Sequence, residues 1–296
     1  MDTRAPILQA WDKSDLPALL RLEAAGPGRY RNRHGDANLN GRSYGGQGLG
    51  QALMAASLSV PSDRVASAMQ FMFLQGSMPE EAIDFEVTAL QDGKRFSSRH
   101  VRGRQGARIV FDAQVSFAVA LEAPAHETAT TALECTPDDL PALSTAPSPW
   151  EDALRRLGGY SLRENACMEF RVPAMDAQLA PEAARHQLRF WLKARQALPR
   201  TPGMHASAFA YMSDWWLNFS CFGGHMHEIG AERRLYISSL NHCIWFHRPF
   251  DADQWLHFDS ASPCAARGRG LAVARVHDLG GRLVASATQE CLMAFA

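Results

Sequence analysis

The sequence predicts an α+β protein built from two tandem modules, each an antiparallel sheet around one buried helix. Each half holds one segment that is apolar on most faces, the mark of a helix enclosed by other elements. Short β-branched and aromatic segments follow it in both halves, punctuated by turn signals such as Gln91-Asp92-Gly93-Lys94. Between the halves, residues 119–150 carry Pro124, Pro137, Pro141, Pro147 and Pro149 without a sustained period, as a linker does. The expected boundaries are 1–120 for the N-terminal module, 121–160 for the linker and 161–296 for the C-terminal module. Gly106-Ala107-Arg108-Ile109-Val110 and Gly280-Gly281-Arg282-Leu283-Val284 share a turn-then-strand context, which supports duplication.

In chain order, residues 45–58 (GGQGLGQALMAASL) are too long for an ordinary strand and too rich in Ala, Leu and Met for a loop, so they form the first helix. VASAMQFMFL, IDFEVTAL, RFSSRHVRG and RIVFDAQVSFAVAL then read as strands. In the second half, Thr201 is expected to cap and Pro202 to start a helix that continues through 204–217 (MHASAFAYMSDWWL). ACMEFRV, HQLRFWLKAR, LYISSL, IWFH, WLHFDSAS, RGLAVARVHD and RLVASATQECLM supply the remaining strands.

Bulk properties narrow the function classes. The 296 residues are 46% hydrophobic, enough for a packed core, and 30 basic against 31 acidic residues leave a formal charge of -1 with no basic run. Nucleic acid is therefore excluded as an expected partner. No apolar run approaches a bilayer span, and residues 1–13 lack the apolar core of a secretion signal, so membrane insertion is not expected and a cytoplasmic location is. Six scattered cysteines without a C-x-x-C pair read as reduced thiols.

Asp214 draws attention because it sits between Ser213 and Trp215-Trp216-Leu217 in a segment that otherwise demands burial. An ionised carboxylate there costs free energy unless satisfied, either by backbone or an arginine such as Arg248 or Arg267, or within a reactive cluster. Residues 235–250 (LYISSLNHCIWFHRPF) and the terminal LVASATQECLM insert polar groups into strands where a plain core would be apolar. Polar ladders and a functional site both account for that pattern.

Several blocks stand out along the chain: Tyr44-Gly45-Gly46-Gln47, Asp92-Gly93-Lys94-Arg95-Phe96-Ser97 with Arg99, and Tyr211-Met212-Ser213-Asp214. Asn241-His242-Cys243-Ile244-Trp245-Phe246-His247-Arg248-Pro249-Phe250 and Ala285-Ser286-Ala287-Thr288-Gln289-Glu290 complete the series. In identity and order these blocks resemble the acyl-CoA thioesterase II family. The resemblance implies a double hotdog fold, hydrolysis of a fatty acyl-CoA and a homodimer or homotetramer. It also implies a catalytic trio of Asp214, Ser239 and Gln289. Two positions depart from the family pattern: Asn241 stands where Asp is common, removing a charge next to the site, and Cys291 replaces the usual Gly.

The chemistry is coherent in itself. Water must be oriented and must lose a proton as it attacks a thioester; Asp214 can accept that proton while the Ser239 hydroxyl and Gln289 amide hold the water. Gly45, Gly46 and Gln47, at a helix start, are expected to offer backbone N–H groups to the oxyanion, although tight helix packing would equally explain the glycines. Met212, Trp215 and Trp216, with Phe219, are expected to line the acyl site. No cofactor is implied, and no metal, since His225-Met226-His227-Glu228 lacks a third ligand at a recognised spacing.

Rival readings have weaker support. Gly41-Arg42-Ser43-Tyr44-Gly45 fits G-x-S-x-G literally but follows a loop-like stretch instead of the hydrophobic strand a nucleophile elbow needs. A hotdog hydratase would need an Asp-x-Asn-Pro-x-His-like segment, which the sequence lacks. A silent acyl-binding or scaffold protein of the same fold is favoured by Asn241 and by a fold that supports many functions.

Overall fold

Strand pairing, rather than helix packing, sets the frame of this protein. The computed structural model describes residues 8–38, 41–127, 135–142, 166–179, 185–229 and 233–295. Much of the expected linker, 121–160, lies outside them. Strands β1 (Leu22–Gly26) and β2 (Arg29–Asn32) form a hairpin that the sequence reading missed. They are followed by β3 (Val65–Phe73), β4 (Asp84–Asp92), β5 (Phe96–Gln105) and β6 (Arg108–Ala118). The second half contributes β7 (Met168–Arg171), β8 (Gln187–Ala194), β9 (Leu235–Phe246), β10 (Leu256–Ala266), β11 (Arg269–His277) and β12 (Leu283–Phe295). All pair antiparallel in one sheet, ordered β1-β2-β4-β5-β6-β3-β9-β12-β11-β10-β8-β7.

The halves meet at β3 and β9, with Ala68 opposite Trp245 and Met72 opposite Asn241. Residues 235–240 and 244–247, read as two strands, are one: β9 runs through Asn241 and His242 because both neighbours supply backbone partners along it. The result is the double hotdog expected from the resemblance.

One face of the sheet is covered by α2 (Gly45–Ser57) and α4 (Met204–Ser213), with α1 (Leu16–Leu20), α3 (Met175–Leu179) and α5 (Phe219–Phe222) as shorter pieces. Nearly every residue of α2 and α4 is buried, as their apolar composition requires. The two helices lie side by side, and glycines set their separation. A Cβ at Gly50 would sit 2.8 Å from Ser207 O and 2.7 Å from Leu20 Cδ2, and one at Gly46 would strike Tyr211 O.

The ends of α4 differ from expectation. Gly203, not Thr201, occupies the N-cap in a left-handed conformation (φ 78°), so Pro202 stays outside the helix. At the other end the helix stops at Ser213 and not at Leu217. Ser213 Oγ donates back to Ala210 O, Asp214 forms the cap, and Trp216 takes φ 64° to turn the chain. Trp216 then stacks between Phe170 and Phe219, with ring centroids 5.1 and 4.9 Å away.

Because Gly50 faces backbone as well as a side chain, Gly50→Val should destabilise the protein by about 1–3 kcal/mol through overpacking, read as a lower urea midpoint at unchanged slope.

Candidate active site

Strand alternation alone would not deliver Ser239 to the helices. His242, Ile244 and Phe246 point inward on β9, and strict alternation would then turn Ser239 outward. Between Glu290 and Cys291 the register shifts: Glu290 opposes Asn241, but Cys291 opposes Ser239, so Leu240 is an extra residue on β9. This bulge reverses the facing of the strand and brings Ser239 inward with His242. Gln289 faces inward from β12 directly opposite His242, and Asp214 projects from the cap of α4.

These three side chains touch. Gln289 Nε2 donates to Asp214 Oδ1 at 2.5 Å and to Ser239 Oγ at 2.8 Å, while Ser239 Oγ donates to Asp214 Oδ1 at 3.2 Å. Asp214 is only 8% exposed. Burial pushes its carboxyl up to about 7, against the opposing pull of hydrogen bonds from Gln289, Ser239 and the Gly46 N–H. Among the described residues no arginine pairs with it: Arg248 pairs with Glu127 at 3.3 Å, and Arg267 sits at a hairpin turn with φ 53°. The two open explanations for Asp214 thus resolve toward a polar cluster drawn from separate elements.

The start of α2 completes the site. Gly45 lies so close that an added Cβ would come within 2.5 Å of Asp214 Oδ2, and the Gly46 N–H points to the same carboxylate. Tight packing at these glycines brings the start of α2 against the carboxylate, which engages the Gly46 N–H. Gln47 is committed elsewhere: its N–H bonds Tyr44 O, and its carboxamide bonds Asp36 N at 2.6 Å and Gln51 Oε1 at 3.1 Å. Met212 is fully buried in the core, as is Trp216, whereas Trp215 is half-buried beside Tyr44. Asn241 lies on the outer face, where its side chain bonds Glu290, so its difference from the family pattern does not alter the trio's contacts.

Sequence reasoning missed Asp36, which sits in the loop before α2. Its carboxylate accepts from Tyr211 Oη at 2.8 Å, its carbonyl accepts from the Tyr44 N–H, and burial raises its pKa to about 6. The loop-like stretch 34–40 gave no periodic signal that would have marked a buried acid. Among the described residues no strand leads directly into Ser43, in keeping with the rejection of a nucleophile elbow. His225 and Glu228 pair with each other at 2.7 Å. Among the described residues one group of potential metal ligands converges, His205, Asp251 and Asp253. Within it His205 Nδ1 accepts from the Ala252 N–H, Asp251 from Arg200 and Asp253 from the Leu198 N–H.

Comparisons with known proteins agree with this architecture. Residues 137–293 match the family model described as acyl-CoA thioesterase C-terminal domain, and residues 33–118 match the corresponding N-terminal domain. The chain is similar to acyl-coenzyme A thioesterase 8 of Mus musculus, at 28% identity over 92% of this chain and 87% of that protein. It is also similar to acyl-CoA thioesterase 2 of Haemophilus influenzae, at 26% identity over 95% and 98% respectively. Among solved structures, acyl-CoA thioesterase II from Mycobacterium marinum superimposes with a TM-score of 0.76 at 31% identity, covering 94% of this chain and 98% of that one.

The raised carboxyl of Asp214 has a thermodynamic consequence. Between the ordinary value of 3.8 and about 7 the folded state keeps a proton that the unfolded chain releases, so this group's contribution to stability falls as pH rises through that window. Asp214→Asn removes the dependence. The variant should gain melting temperature over the parent at pH 8, and that gain should shrink when both are measured near pH 4.

Proposed function

The chain belongs to the acyl-CoA thioesterase family, and we propose that it hydrolyses fatty acyl-CoA to free fatty acid and CoA with a water activated by Asp214, Ser239 and Gln289. The single observation that carries this reading is the contact among the three side chains at a nearly buried carboxylate. Because Asp214 Oδ1 is occupied by Ser239 and Gln289, the attacking water is held on the remaining side, by Oδ2 next to Gly45 and by the free lone pair of Ser239 Oγ.

The water oxygen adds to the thioester carbonyl carbon as Asp214 takes its proton. A carboxylate with a pKa of about 7 suits this task, since it is substantially ionised at neutral pH yet a far stronger base than an exposed aspartate. The oxyanion is assigned to the positive end of α2, whose first N–H groups, that of Gly45 among them, have no partner within the helix. As Asp214 gains its proton its hold on the Gly46 N–H weakens, and a second donor becomes available when the charge appears. The tetrahedral species collapses, the carbon–sulfur bond breaks, and the CoA thiolate recovers the proton from Asp214. No covalent acyl-enzyme is needed.

Among the described residues no helix is long and apolar enough to cross a membrane. Assembly into a homodimer or homotetramer is part of the same reading, and light scattering on the purified chain measures it.

Thiol release from short, medium and long acyl-CoAs tests the reading. The parent's kcat/KM should climb with pH and level off above about 7, because the base is lost to protonation as pH falls through that value. Asp214→Asn should lower kcat by roughly 100- to 10,000-fold with ligand binding retained. A variant that still turned over at the parent's rate would sink the proposal.

A further inference from the structure

Strand β9 is tied to the end of α4 twice, and the second tie lies outside the catalytic trio. His242 is fully buried, with Nε2 3.0 Å from Ser213 Oγ. Ser213 immediately precedes Asp214, and its hydroxyl donates to Ala210 O at 3.0 Å. With its one proton directed there, the hydroxyl accepts from His242, which places the imidazole proton on Nε2. Among the described residues His242 Nδ1 has no partner, so this tautomer leaves an unpaired lone pair, whereas the other would leave an unpaired N–H, the costlier orphan. Burial lowers the imidazole pKa to about 3, so the ring stays neutral and takes no proton from the reaction at working pH.

The place of His242 in the sheet explains its reach. It opposes Gln289 on β12 and Phe71 on β3, and residues so paired have Cβ atoms about 4.5–5.5 Å apart. The ring therefore stands beside the Gln289 carboxamide and below the last turn of α4. That turn needs support, because carbonyls at a helix C-terminus run out of backbone partners and Asp214 lies one residue beyond the final helical position.

We infer that His242 is a positioning residue for hydrolysis: its neutral imidazole, through Ser213, fixes the last turn of α4 so that the Asp214 carboxylate stays aligned with Ser239 and Gln289. The inference rests on the proposed role of Asp214. Without this tie the carboxylate keeps its contacts with Ser239, Gln289 and the Gly46 N–H, but the turn bearing it loses its own anchor to β9 and can shift about the carboxylate. Displacements of about 1 Å in such an arrangement cost on the order of 100-fold in rate.

The test compares the full-length parent with His242→Leu, His242→Gln, Ser213→Ala and the Ser213→Ala/His242→Leu double variant, using the straight-chain acyl-CoA that the parent hydrolyses fastest. His242→Leu should lower kcat by roughly 10- to 100-fold with KM within about twofold. His242→Gln, which offers a donor at the position of Nε2, should recover most of that loss. Ser213→Ala should reproduce the Leu defect, and the double variant should be no slower than the slower single one, since all three break one connection. Equal loss in Leu and Gln, a change confined to KM, or multiplying losses in the double variant would overturn the inference. If His242→Leu does not fold, Ser213→Ala decides alone, and a parent-like kcat there overturns it. Asp214→Asn is assayed in parallel. Retained turnover in that variant defeats the catalytic reading itself, whereas an inactive Asp214→Asn beside a fast His242→Leu defeats only the role given to His242.

Discussion

A carboxylate held almost out of water obliges its surroundings to supply hydrogen bonds, and the organisation of this protein follows from meeting that demand at Asp214. Its donors come from β9, β12 and the first turn of α2. Each lies on a different element, so the group is satisfied only once the sheet has closed across the two halves and the two long helices have come together. Compensation remains incomplete, because desolvation still outweighs the hydrogen bonds and leaves the carboxyl near 7. This residual cost is also what suits the group to the base role proposed for it at neutral pH, and under that proposal it joins stability to chemistry in one residue.

Close approach of α2 to α4 is the second requirement. Gly46 and Gly50, four residues apart, present a bare strip against Tyr211 and Ser207. Tyr211 joins the halves again through Asp36, whose backbone holds Tyr44 and, through Gln47, the start of α2. The N-terminal module thus contributes the backbone of the helix start, while the C-terminal module contributes the three side chains. Neither half contains the whole arrangement.

The sequence revealed this arrangement unevenly, for physical reasons. Helices apolar on most faces and strands rich in aromatic and β-branched residues carry strong compositional signals, and both layers could be read from them. Asp214 stood out because a charge in the segment 204–217 contradicts its neighbours. The bulge at Leu240 could not be read: nothing in ISSLNHC states that an extra residue reverses the facing of the strand, and alternation alone would put Ser239 and His242 on opposite sides. Ser239 and Gln289 were accordingly assigned through family resemblance and not through periodicity. The early end of α4 also escaped prediction, since the left-handed turn at Trp216, whose ring packs on Phe170 and Phe219, is made without a glycine or proline.

The seam between β3 and β9 carries a further consequence for how such a chain can be divided. Along it each module uses the other's edge as its own terminus, with main-chain donors and acceptors paired from Ala68–Trp245 to Met72–Asn241. A module produced alone would display that row of groups unpaired, beside the apolar flank of a helix stripped of its neighbour. Such an edge is a template for adhesion to any compatible strand. Fusion of the two units in one polypeptide supplies the correct neighbour at high local concentration from the moment of synthesis, and so guards against promiscuous pairing as well as assembling the chemistry.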